Sequence, residues 1–177
     1  NIGVVKYYGD KDRQKYVNKL VNIFGISDDV FKTQSASLTE FEKRRAEIIK
    51  NDVNEKLGIY FNDMLKAGDE HGIGFAYDEV NRMMVAEYGG RGQALNAMPK
   101  FSMDEHGIIH VKSGGVDTGV ALRLGIKTVN GEKRTYLTTN FDEDFGKEDF
   151  FQKLLRQRKR DTGGVDLTDL NKYLKIH

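Results

Sequence analysis

Asn130-Gly131 stands between two runs of alternating side chains, VDTGVALRLGIKTV and EKRTYLTTNF, and no other feature of the chain leaves so few folds open. Asn and Gly tolerate the positive φ angles that a two-residue type I′ turn demands, so residues 116–141 read as a β-hairpin. Setting Val129 opposite Glu132 pairs Val120 with Phe141, Leu122 with Thr139, Leu124 with Leu137 and Ile126 with Thr135 on one face. That face is apolar and predicts a core beneath it. The other face pairs Ala121 with Asn140, Arg123 with Thr138, Gly125 with Tyr136 and Lys127 with Arg134. It is polar and basic with one aromatic ring, and is expected to be wet or to touch a partner. A slip of one residue would exchange the two faces, so agreement between turn and alternation specifies the register.

The rest of the composition bounds the function more than it names one. A chain of 177 residues suits a single domain, with residues 1–98 mainly helical and residues 99–177 built around the hairpin. There is no cysteine, which removes disulfides, thiolate metal sites and cysteine nucleophiles. The 28 basic and 27 acidic side chains leave a formal charge of +1, so attraction to nucleic acid or membrane must come from local clusters. Without a long apolar run or a secretory pattern, the expectation is a soluble protein inside a cell or a virion, with no membrane partner. A start at Asn1 fits a processed product or a piece of a longer chain.

Along the chain, residues 2–8 read as a short strand. Asp10 caps a helix in which Val17, Leu20, Val21 and Phe24 share a face up to Gly25. Ser27, with Asp28 and Asp29, starts a short helix, and residues 32–37 read as a polar loop. Capping-box spacing at Ser37/Glu40 and again at Thr39/Glu42 opens the longest helix. Phe41, Ile48, Ile49, Val53, Leu57, Tyr60, Phe61, Met64 and Leu65 carry it to Gly68 over about 27 residues, or about 40 Å, with Gly58 marking a close contact or a bend. Residues 78–88 predict another helix, followed by a glycine-rich loop at 89–92. Pro99 divides the helical part from the β part, residues 108–112 are a further strand, Phe151, Leu154 and Leu155 mark a helix, and Asp166 caps a last one. The fold class is therefore α+β, with a helical N-terminal half packed on a small antiparallel sheet and short helices at the C-terminal end.

Two sets of residues carry candidate chemistry. The pentapeptide DEHGI occurs at residues 69–73 and again at 104–108, with His110 two residues beyond the second copy. Asp69, His71, Asp104, His106 and His110 are the oxygen and nitrogen donors a divalent metal would need, and together they would support metal-assisted phosphodiester hydrolysis. Acidic residues before glycine are also ordinary turn formers. Residues 108–112, IIHVK, resemble the (D/E)-x-K strand of restriction-type nucleases, with His110 where that family has a carboxylate. The departure leaves Asp104 or Asp117 to supply the acidic ligand.

The second set is basic: Arg123, Lys127 and Arg134 with Tyr136 on the hairpin, and Arg156, Arg158, Lys159 and Arg160 at the end of the helix that follows. Phosphate contact, with Tyr136 stacking on a base, is one use of them, and solvation of a helix C-terminus is the plainer one. Chemical residues fail to converge while structural signals agree. The expected function is therefore a non-enzymatic interaction or assembly module, of phage or mobile-element style, contacting a protein or a nucleic-acid backbone and needing no cofactor. The alternative is a metal-dependent phosphodiesterase built on the two DEHGI copies.

Overall fold

The hairpin forms in the expected register: Val129 faces Glu132, Leu124 faces Leu137 and Gly125 faces Tyr136, and Gly131 takes the left-handed φ of 81° that the reversal requires. The computed structural model describes residues 10–86, 100–113, 116–129, 131–139 and 148–161. The expected strand at 2–8, the glycine-rich loop at 89–92, the pairing of Phe141 and the last helix lie outside them.

Among the described residues five α-helices and four strands follow in order. They are α1 (Asp10–Phe24), α2 (Asp28–Gln34), α3 (Glu40–His71), α4 (Ile73–Ala86), β1 (Lys100–Met103), β2 (Ile108–Ser113), β3 (Val116–Val129), β4 (Glu132–Thr139) and α5 (Glu148–Asp161). The strands form one antiparallel sheet in the order β1-β2-β3-β4, so the fold is α+β. Among the described residues no helix is long and apolar enough to cross a membrane.

Local chemistry explains the helix boundaries. Ser27 accepts from the Val30 N–H at 3.2 Å to cap α2. Its chain continues as helix to Gln34 and a 3-10 turn at Ser35–Ser37, where a loop was expected. Of the two candidate boxes that could open α3, Thr39/Glu42 is the one used: the Glu42 N–H donates to Thr39 Oγ1 and the Thr39 N–H to Glu42 Oε1. Asn54, nearly half-way along α3, clamps the corner between α1 and α2, accepting from Ile26 N at 2.9 Å and donating to Ile26 O at 2.7 Å.

Two boundaries differ from expectation. The long helix does not stop at Gly68 but runs on to His71, and Gly72 with φ 99° turns the chain back. The following helix starts at Ile73 instead of Asp78, adding Phe75, Ala76 and Tyr77 to it. Strand β1 is a further addition.

Helices and sheet share one core. Phe24, Phe61 and Phe101 meet pairwise at ring-centroid distances of 5.7 to 5.9 Å, joining α1, α3 and β1. Ile109, Val111, Val120, Leu122, Leu124 and Leu137 complete it from the sheet, and Phe150, Phe151 and Leu154 from α5. Burial of this order on one contiguous cluster is what stabilises a chain that lacks any cross-link.

Candidate functional site

The second DEHGI copy is a hairpin turn organised by its first residue. The Asp104 carboxylate accepts from the His106 N–H at 2.8 Å and the Ile108 N–H at 3.0 Å through Oδ1, while its Oδ2 lies 2.9 Å from His110 Nε2. Gly107 takes φ 78°, its N–H closes the turn on Asp104 O at 3.1 Å, and Tyr77 of α4 donates its hydroxyl to Gly107 O at 3.0 Å. The hydrogen bond from His110, followed by the backbone donors, holds the Asp104 carboxyl below the usual carboxylate range. Burial pushes the Tyr77 hydroxyl above its ordinary value.

The first copy is not a turn but the last turn of α3. Asp69 accepts from the Thr135 N–H on β4 and forms an ion pair with Arg13 of α1. Two residues further along the same edge strand, the Leu137 N–H donates to Tyr16 Oη at 3.1 Å. Alternate backbone donors of β4 are thereby satisfied by side chains from the helices, which blocks addition of a further strand there.

The two copies do not meet. Asp104 sits between β1 and β2 and Asp69 beyond β4, so two strand spacings, about 10 Å, intervene before the step out to α3. His71 faces Glu70 at 3.7 Å and Phe75, His106 faces Glu105 at 3.4 Å, and only His110 joins an aspartate of the set. No group of three or more His, Cys, Asp or Glu among the described residues is arranged to hold a metal ion. The joint metal site was the alternative use of the repeated pentapeptide, and the described residues do not bring its five donors together. The echo reflects two uses of an aspartate as an acceptor for backbone N–H groups, one at a helix end and one in a turn.

The basic hairpin face is also not the open surface that alternation predicts. Tyr136 is only 3 % exposed, and its ring lies on Gly125, where a Cβ would stand 2.5 Å from Tyr136 Cζ. Thr138 on the same face is fully buried. Stacking of a base on Tyr136 is thus excluded, because strand β4 is buried on both faces from Thr135 to Thr139. Lys127 lies over the Tyr136 ring at 6.0 Å, Arg123 is half-buried, and Arg134 donates to Lys133 O at 3.0 Å with Glu132 at 3.8 Å. Of the second basic group, Arg156 is exposed on α5, and Arg158, Lys159 and Arg160 continue that helix.

A different surface emerges on α3. The residues buried along it, from Ala46 to Gly68, centre about 150° around the helix from Phe41 at 100° per residue. Phe41, Ile48 and Ile59 stand at about 0°, −20° and 0° on that scale, which is one line on the opposite side, about 27 Å long. They are 67, 69 and 50 % exposed, and Phe75 at the start of α4 is 54 % exposed. Grouping Phe41 and Ile48 with the inward stripe is therefore corrected. The spacings of 7 and 11 residues, which return to the same side of a helix after two and three turns, were the signal for a second line.

No protein-family model, curated protein or solved structure matches this chain.

Proposed function

We propose that the protein is a non-enzymatic interaction and assembly module that meets a protein partner along the outer line of α3. One observation carries this reading: three large apolar side chains stay in water on a single line of the longest helix, diametrically away from the side that builds the core. Single exposed apolar residues are ordinary, but alignment over about five turns is the pattern of a helix that packs on both sides.

The test is a photo-crosslinking residue, p-benzoylphenylalanine, placed at Ile48 or Ile59 and, as control, at Asn51 on the flank of the same helix. Adducts at 48 and 59 but not at 51 are expected from the protein in its native cells. Equal labelling at all three positions, or none at 48 and 59, would remove the reading. A second reading, contact with a nucleic-acid backbone through the end of α5, is favoured by the exposure of Arg156 at the start of a four-charge cluster.

A further inference from the structure

We infer that the partner seated on the outer line of α3 is a second copy of the same chain, paired antiparallel about a two-fold axis level with residues 48–50. This rests on the reading of α3 as a contact surface and adds the occupant. The argument comes from the charges that flank the apolar line. Within about 60° of it, the N-terminal stretch carries Arg44 and Arg45 and the next two turns carry Asp52 and Glu55, with Lys56 at the edge of that window.

A parallel pair would set Arg44 and Arg45 against the same residues of the partner, which is repulsive. An antiparallel pair with its axis at 48–50 sets Arg45 against the partner's Asp52 and Arg44 against the partner's Glu55. Each pairing keeps to its own flank, because rotation about an axis perpendicular to both helices preserves sides. Symmetry repeats both pairs, giving four ion pairs along an isologous contact. In the same register Ile48 lies against the partner's Ile48, and Phe41 lies within about one turn of the partner's Ile59. Arg45 already sits over the Phe41 ring, 5.7 Å from its centroid, so the aromatic end of the line is covered from its own chain and extended by the partner. Helix α2 and its Lys50–Asp28 ion pair lie on the other side of α3, which leaves the line open to approach.

Sedimentation equilibrium on the full chain, with circular dichroism to confirm folding, provides the test. The wild type is expected to dimerise with rising concentration and more weakly at high salt. Ile48→Glu should weaken association at least 100-fold with an unchanged helical spectrum. The double variant Arg44→Glu, Arg45→Glu and the double variant Asp52→Arg, Glu55→Arg should each be monomeric alone and dimerise when mixed, since mixing restores opposite charges on both flanks. A wild type that stays monomeric at millimolar concentration overturns the pairing, as does a dimer indifferent to Ile48→Glu or a mixture that fails to associate. The crosslinked product separates this failure from that of the contact surface itself. An adduct at residue 48 of twice the chain mass supports self-pairing, an adduct with a different protein alone overturns it while keeping the surface, and no adduct overturns both.

Discussion

Asp69 and Asp104 head identical pentapeptides, and each accepts backbone N–H groups, but from different strands and with different consequences. Asp69 is nearly buried between Arg13 and the edge of β4, so its removal takes away an ion-pair partner of Arg13 and the side-chain acceptor of the Thr135 N–H. Asp69→Ala should cost about 3 to 5 kcal/mol, as for breaking one side of a buried pair, whereas Ala at the exposed Glu70 should change stability by less than about 0.5 kcal/mol. Urea titration of the two variants checks this. Asp104 is reached by solvent, and its effect shows in pH dependence. Its carboxyl is held below the usual range in the folded chain, so the unfolded chain binds more protons between the two values. Stability from this group is present above the ordinary carboxylate range and is lost as pH falls through the lower folded value. The urea midpoint of the wild type should therefore fall more steeply on acidification than that of Asp104→Asn. Equal slopes would mean that the His110 contact does not form in solution. Neither role can be read from the pentapeptide, because the partners lie 66 residues away in one case and, in the other, on a strand whose pairing decides which way His110 faces.

At the scale of elements, the hairpin was legible over its described residues because both of its determinants are local: a turn that two residues specify and an alternation of period two. Leu124→Ala should cost about 2 to 5 kcal/mol, since the side chain is 3 % exposed and faces Leu137 over the helices. A cost under about 0.5 kcal/mol would contradict its burial. Strand β1 escaped notice because KFSM is too short to display alternation and is completed only by pairing with β2. The start of α4 escaped because IGFAY sets one strong helix former, Ala76, among a glycine, a β-branched residue and two aromatics, and packing on α3 and the sheet decides its state. Burial of β4 on both faces was hidden for a related reason: alternation says which residues share a face, and not what lies over it. Gly58 offers a discriminating substitution. A Cβ there would meet Val21 Cγ2 at 3.8 Å, ordinary van der Waals contact, so the glycine is neither a forced close approach nor a special backbone conformation. Gly58→Ala should raise stability by about 0.5 to 1 kcal/mol through helix propensity. Gly68→Ala should instead destabilise, because its Cβ would fall 2.0 Å from Thr135 Oγ1 where α3 crosses β4. Thermal melting of the two variants in opposite directions checks the pair.

For the molecule as a whole, a formal charge of +1 gives no general attraction to polyanions, and the structure narrows where a local one can arise. The hairpin cations are partly committed, Lys127 to the Tyr136 ring and Arg134 to Glu132 and a backbone carbonyl, and the ring that would have stacked on a base is buried. Of the two basic groups, the one at the end of α5, Arg156, Arg158, Lys159 and Arg160, is the one to test for phosphate contact. Four phosphate contacts on a duplex imply a slope of log affinity against log salt of about −3.6, or a loss of about 150-fold between 50 and 200 mM. Under the interaction-module reading with a protein partner, fluorescence anisotropy should find no retained duplex at 200 mM salt. Any affinity at 50 mM should follow that slope, disappear when all four residues become Gln, and be indifferent to base sequence, since contacts with phosphate position a protein without reading bases. Duplex retained at 200 mM salt and lost with the four changes would make the second reading of the function the leading one, whereas affinity surviving those changes would overturn that reading and place nucleic-acid binding on another surface. The same four-fold variant should dimerise as the wild type does, because α5 and the outer line of α3 lie on different elements and share no charge.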